Sequence, residues 1–307
     1  FFIHQCYLIL NLNFIIKFLI YMPFIKKDLK YLLIGNKGQL GSEFEKNIIA
    51  RGCNYFAADV DTLDITNYKA LSETINFFKP DIIINCAAFN QVDLAEQNKE
   101  QALKVNATAL NYLAELCQKN KAFLIHFSTD YVFNGNKNDG FYNEIDETDP
   151  INYYGYTKLE GERFIQQQLN NYLIFRLSWV FGNGKQNFIY KFLQWCKQNT
   201  ILKISFDEVS VPTSTETIVN IVEQSIYNGL IGTYHLTNSG YASRYEWAKY
   251  ITEILNLNVL LYPVSKDSFK LPAKRPYFSA MSNQLLTKTL AIDIINWKEA
   301  VKKFINK

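Results

Sequence analysis

The sequence predicts an α/β fold: a doubly wound parallel sheet with a smaller α/β lobe interleaved with it. Three observations predict it. Short β-branched runs alternate with amphipathic stretches from Lys30 onward. The apolar runs are continuous rather than alternating, as in strands buried on both faces. A glycine-punctuated turn joins the first such run to the first helical stretch. A chain of 307 residues has room for one large domain or two smaller ones.

The elements follow in order. Residues 31–35 read as a buried strand, 39–51 as a helix ended by Gly52, and 54–59 as a second strand. A helix over 67–78 stops at Pro80. Residues 81–88 (DIIINCAA) form a third strand, 99–119 a long helix, and 122–129 (AFLIHFST) another strand. A helix over 154–169 and a strand over 172–181 complete the regular part. Helices between parallel strands imply right-handed crossovers. Beyond 181 the pattern loosens: a helix near 187–198, a strand over 202–206, a helix near 214–227, a strand over 232–237 and a helix over about 244–255. Residues 22–183 are assigned to a dinucleotide-binding domain, with a segment near 207–229 free to return to it, and 184–307 to the second lobe. The loop 134–152 is long and polar, as functional loops often are.

Composition narrows the classes. With 48% hydrophobic and 20% charged residues the chain is globular rather than disordered. The net charge is +3, and Lys17, Lys26, Lys27 and Lys30 all lie in the first thirty residues, so the remainder carries no nucleic-acid footprint. Residues 1–21 are rich in Phe, Ile and Leu, but Asn11, Asn13 and Lys17 interrupt them, which disfavours a membrane anchor. No basic first region or small-residue cleavage site marks a signal peptide. The expectation is that translation begins at Met22 and that 1–21 are not native. Cys6, Cys53, Cys86, Cys117 and Cys196 are scattered without a C-x-x-C pair, which suggests a reducing compartment, the cytoplasm. His4, His126 and His235, widely separated, give no zinc site.

Gly35-Asn36-Lys37-Gly38-Gln39-Leu40-Gly41 links the first strand to the first helix. Glycine permits a sharp turn and close approach of a pyrophosphate, and the helix start offers unpaired N–H groups. The spacing is G-x-x-G-x-x-G, so a mere tight turn stays open as an alternative, but the strand-loop-helix context is that of a nucleotide site. Asp59 closes the second strand and can accept from the adenosine ribose hydroxyls; a solvated strand-end carboxylate is the other reading. Its charge would oppose a 2′-phosphate, so NADH is mildly favoured over NADPH, with Lys37 as a partial offset. Asp64 and Ile65 are placed to flank the adenine. Ala87, Ala88, Phe89 and Asn90 end the third strand, where small residues let cofactor atoms pass close.

Tyr154 and Lys158 form a Y-x-x-x-K pair on one helix face. A lysine cation lowers a phenol's pKa and can hydrogen-bond a nicotinamide ribose, so the pair suits proton transfer to a carbonyl oxygen. Alone, in a chain with 20 tyrosines, it equally describes two surface residues. Ser128 and Thr129 end the strand 122–129, where a hydroxyl can polarise a carbonyl. Glycine loop, strand-end Thr and Tyr-Lys helix in that order make the joint pattern specific.

Together these residues resemble the extended short-chain dehydrogenase/reductase superfamily and, within it, the dTDP-4-dehydrorhamnose reductase family. The matching stretches are GNKGQLGSEF (35–44), LDIT (63–66), NCAAFNQVDLAE (85–96), STDYVFNG (128–135), YGYTKLEGE (154–162) and RLSWVFG (176–182), with weaker matches at 207–213, 232–240 and 275–281. The resemblance spans roughly 29–305. It implies a Rossmann-type fold whose second lobe binds substrate, with NADH or NADPH reducing the 4-keto group of a dTDP-linked 6-deoxy-4-keto hexose. It implies Tyr154 as proton donor, Lys158 on the ribose, Thr129 at the developing oxyanion, Asp130 and Trp179 facing the sugar nucleotide, and Arg275 on the diphosphate. Glu43 matches a position where some members bind magnesium at a homodimer interface. One departure is Glu208, where the family carries an amide. Rival readings are a dehydratase or epimerase, disfavoured because Tyr131 rather than an acid follows Asp130; a ketoreductase for another nucleotide deoxysugar; and a non-catalytic regulatory subunit of this fold, as in methionine adenosyltransferase, disfavoured by Thr129-Asp130 and Ser178-Trp179. No nucleic-acid or membrane partner is expected.

Overall fold

The computed structural model describes residues 29–307; the expected start at Met22 lies outside the described residues. Strand β1 (Lys30–Ile34) sends its side chains alternately to the two faces of the sheet. Leu32 and Ile34 enter one apolar cluster with Leu71, Ile75 and Leu113, whereas Leu33 enters another with Phe44, Ile48 and Phe175. Both faces are therefore covered, as the unbroken apolar run required.

Helix α1 (Gln39–Ala50) presents Gly41, Phe44 and Ile48 to the sheet and ends before Gly52 at φ +65°. Strand β2 (Asn54–Ala58) follows. Helix α2 (Tyr68–Phe78) starts where the Asn67 side chain accepts from the Ala70 N–H. Strand β3 (Ile82–Asn85) then pairs with the opposite side of β1. That reversal of direction between β2 and β3 opens a crevice at the C-terminal strand ends. A short helix α3 (Val92–Gln97), not foreseen, precedes the expected long helix.

The long helix is interrupted: α4 (Lys99–Leu103) passes through one π-helical turn over Lys104–Thr108 into α5 (Ala109–Asn120). The widened turn pushes Asn106 inward, where it serves the site below. Strand β4 (Phe123–Thr129), helix α6 (Tyr153–Gln168) and strand β5 (Tyr172–Leu177) complete the regular part. The strand expected over 172–181 breaks at Ser178-Trp179, because Ser178 Oγ donates to the Val211 carbonyl and Trp179 adopts φ +40°. Strand β6 (Val180–Phe181) leaves in a new direction.

The second lobe is stitched from small ladders. Helix α7 (Phe188–Gln198) leads to β7 (Ile201–Ser205), β8 (Val209–Ser210) and β9 (Thr213–Ser214). Strand β9 pairs with β6. Helix α8 (Thr215–Tyr227) then packs Ile218, Val219 and Val222 onto the cluster of Leu33 and Phe44, and β10 (Gly232–His235) joins β5. The large sheet thus has six parallel strands in the order β10-β5-β4-β3-β1-β2. Strand β11 (Ala242–Ser243) pairs with β8, and helix α9 (Arg244–Leu255) opens with a capping box between Ser243 and Glu246. Strand β12 (Leu260–Val264) pairs with β7; it and helices α10 (Gln284–Leu290) and α11 (Trp297–Ile305) were not foreseen. Phe181, Phe192, Trp247 and Trp297 form this lobe's core. Among the described residues no helix is long and apolar enough to cross a membrane.

Candidate active site

A cleft of about 470 Å³ lies between the strand ends of the large sheet and the second lobe. Its floor is the glycine loop. Gly35 sits at φ +81°, and a Cβ there would come within 2.7 Å of the Ala87 nitrogen; one on Gly41 would meet the Gly35 carbonyl at 2.0 Å. The Gly35 N–H donates to the Ala58 carbonyl, which ties the loop to the end of β2. Gly38 caps α1 without any side-chain hydrogen bond, so the first helical N–H groups face the cleft. Gln39 crosses it: its Nε2 donates to the Val180 carbonyl and its Oε1 accepts from Asn187. Leu40 and Gly41 line the same floor.

Asp59 stands at the end of β2 and accepts from the Lys37 N–H at 3.0 Å and the Val60 N–H at 2.8 Å. Lys37 Nζ pairs with Asp61 at 2.5 Å, an acid the sequence reading passed over. Asp64 accepts from the Thr66 N–H and hydroxyl, closing a turn ahead of α2. The Ile65 side chain is buried in the core. Asp59, Asp64 and Ile65 are absent from the cleft lining, whereas Ala88 and Asn90 belong to it. Ala87 donates its N–H to Asn85 Oδ1. Phe89 is held at both backbone groups by Asn106, whose amide also donates to Thr157 Oγ1 at 3.0 Å. The π turn therefore fixes the strand end against the Tyr-Lys helix.

Tyr154, Lys158 and Thr129 converge on one wall. Asn152 caps α6 by accepting from the Gly155 N–H at 2.8 Å, which sets the first turn carrying Tyr154. Lys158 is buried; its Nζ donates to the Phe127 carbonyl at 2.7 Å and lies 3.1 Å from His126 Nε2. Burial lowers the lysine to about 8, with Glu162 and Cys86 pulling upward. Glu162 is committed to Arg176 through three contacts of 2.7–3.2 Å.

The expected depression of the Tyr154 pKa is not found. Burial drives it well above the ordinary phenol value, the neighbouring Thr129 hydroxyl opposes this, and Asp130 adds to it. Lys158 Nζ is turned toward Phe127 and His126 on the inner wall, and it is not among the groups that act on the phenol. Tyr154 is accordingly a protonated phenol at neutral pH, the form that a proton donor requires. Tyr131 packs edge-on against it at 6.0 Å.

The second lobe closes the far wall. Asp130 is buried, and its carboxylate accepts from Ser279 at 2.6 Å, Ser210 at 2.8 Å and Thr129 at 3.2 Å. Burial raises it to about 6 against those hydrogen bonds and Arg244. Trp179 lines the cleft beneath the Arg244 guanidinium, 3.6 Å from its ring centroid, and Arg244 Nε meets Glu208 at 3.3 Å. Glu208 thus has a cation for a partner. Among the described residues Ser128 Oγ and Trp179 Nε1 have no hydrogen-bond partner, and both are buried at the border of the cleft. Arg275 lies outside the lining and grips Asp93 at 2.6 and 2.8 Å. Glu43 faces Lys46 at 3.6 Å, and among the described residues no three His, Cys, Asp or Glu side chains converge as metal ligands.

The RmlD substrate binding domain family matches residues 29–307. A dTDP-4-dehydrorhamnose reductase of Escherichia coli K12 is 34% identical over 291 residues, which covers 90% of this chain and 96% of the relative. Among solved structures, a dTDP-4-dehydrorhamnose reductase of Clostridium acetobutylicum superposes with a TM-score of 0.87 at 35% identity, covering 91% of this chain and 99% of its own. That of Bacillus anthracis, in complex with NADP, gives a TM-score of 0.87 at 31% identity with the same coverages.

Proposed function

The chain belongs to the RmlD substrate binding domain family, and on that premise we propose that it reduces dTDP-4-dehydro-L-rhamnose to dTDP-L-rhamnose with NADPH or NADH. The observation that carries this reading is the meeting of Thr129, Tyr154 and Lys158 with the glycine loop in one cleft. The residues fit a dinucleotide: a loop with no room for a Cβ at Gly35 or Gly41, an uncapped helix start and, among the described residues, a Ser128 hydroxyl without a partner. When bound, the nicotinamide supplies the hydride.

Tyr154 gives its phenolic proton to the carbonyl oxygen. Thr129 stabilises the charge developing there, and Lys158, once protonated, stabilises the phenolate left behind. The cofactor contacts are Gly35, Gly38, Gln39, Leu40 and Gly41, with Asp59, Asp64 and Ile65 toward the adenosine and Ala87, Ala88, Phe89 and Asn90 along the strand end. Asp130, Trp179 and Arg275 belong to the sugar-nucleotide side, where the end of β4 and the turn after β5 meet the lobe beyond residue 183. Both cofactors serve, with NADH mildly preferred, because Asp59 and Asp61 outnumber Lys37 where a 2′-phosphate would lie. The four described cysteines are free, in keeping with a cytoplasmic enzyme. Tyr131, packed where a dehydratase would need its second acid, supports reduction over elimination.

Tyr154→Phe tests the assignment. Loss of general acid catalysis lowers kcat by about a hundred- to ten-thousand-fold, while NADPH affinity stays at the wild-type value. Undiminished turnover would remove Tyr154 from the role.

A further inference from the structure

Asn85 and His126 are paired residues on β3 and β4, and both are fully buried beneath the cleft. Neither touches the space a substrate would occupy. Their hydrogen bonds nevertheless determine one another. The Ala87 N–H donates to Asn85 at 3.1 Å, and only the amide oxygen can accept it. The amide nitrogen therefore faces His126 Nδ1, at 3.2 Å. A donor aimed at Nδ1 needs a lone pair there, so the imidazole carries its proton on Nε2. That nitrogen is 3.1 Å from Lys158 Nζ.

The consequence falls on the lysine. An N–H directed at Nζ is accommodated by the lone pair of a neutral amine and opposed by an ammonium, which has donors only. The neutral amine can still donate to the Phe127 carbonyl, so every member of the chain is satisfied. With an ammonium, the imidazole must hold its proton on Nδ1, facing the Asn85 NH₂. Turning that amide over would relieve the clash but remove the acceptor from Ala87.

We propose that Asn85 and His126 are positioning residues that control the proton state of Lys158, favouring the neutral amine and coupling its protonation to an imidazole tautomer change and to the hydrogen bond at Ala87. The importance of Lys158 itself rests on the reductase reading above. The other titratable groups around Nζ are Glu162 and Tyr154 on its own helix and Cys86 at the end of β3. Glu162 is already neutralised by Arg176. Asp130 acts one step further off, on Tyr154. The lowered lysine value agrees in direction with the hydrogen-bond argument.

The tautomer is measurable without turnover. Imidazole ¹⁵N spectra of the cofactor-free protein, with His126 identified by its loss in His126→Phe, are expected to show a neutral ring protonated at Nε2. A ring protonated at Nδ1, or an imidazolium, would overturn the proposal even if the enzyme is a reductase. Kinetics supply the second arm. In Asn85→Asp the carboxylate can accept from both Ala87 and an Nδ1–H, which turns the Nε2 lone pair toward Lys158. The alkaline limb of kcat/KM then moves up by about one pH unit. In the His126→Phe background the same change moves it by less than half as much. Equal shifts in both backgrounds would show that the imidazole transmits nothing. If wild type turns over no keto sugar, the reductase reading falls and the spectrum alone decides the tautomer.

Discussion

The two walls of the cleft are built by different means. On the large-sheet side, position comes from the backbone: six parallel strands, a glycine loop anchored on Ala58, and a helix register that aligns Tyr154 with Lys158. On the second-lobe side, position comes from side chains that meet across long sequence separations, such as Asp130 with Ser210 and Ser279, and Arg244 with Trp179 and Glu208. Backbone geometry is set locally and repeats, so that wall tolerates surface change. Side-chain closure depends on a few polar contacts, so the far wall is the more sensitive of the two to a single polar substitution.

The strongest way to break this contrast is through Arg176→Met. Arg176 and Glu162 form a buried ion pair that fastens the Tyr-Lys helix to β5. Leaving Glu162 unpaired costs about 3–5 kcal/mol, read as a fall in the urea midpoint of the whole protein. An unchanged midpoint would mean that the sheet wall does not depend on this contact.

Ser279→Ala probes the other wall. It removes a hydrogen bond to the Asp130 carboxylate, worth about 1.5–3 kcal/mol. The expected outcome is a raised KM for the keto sugar with the NADPH affinity unaltered. Equal damage to both ligands would show that the two walls are not separable.

A smaller effect sharpens the cofactor end. Asp59→Ala removes one of the two acids near Lys37. With the opposing charges partly solvated, the kcat/KM ratio of NADPH to NADH rises by about fivefold, or about 1 kcal/mol. A constant ratio would place Asp59 away from the ribose.

What the sequence disclosed follows the same division. Tyr154, Lys158, Thr129 and the glycines were readable because each belongs to a local pattern at the end of a strand or the start of a helix. The break at Ser178-Trp179 was not, since a hydrogen bond to Val211 and the pairing of β6 with β9 cause it. Asn106 was hidden because a π turn shifts the helical phase on which periodicity relies. Arg244 opens a recognisable helix, yet nothing local says that it stacks on Trp179. His126 did leave a signal, a lone polar residue inside the apolar run AFLIHFST. Its partners on β3 and α6 give that signal its meaning.

If both walls serve one reduction, the reaction itself shows it. The full chain is mixed with dTDP-4-dehydro-L-rhamnose and NADPH, and the product is identified by NMR while cofactor oxidation is followed. The expected outcome is dTDP-L-rhamnose formed in step with NADPH consumed, mole for mole. A keto sugar left untouched, or altered by elimination or epimerisation with no cofactor oxidised, would contradict it.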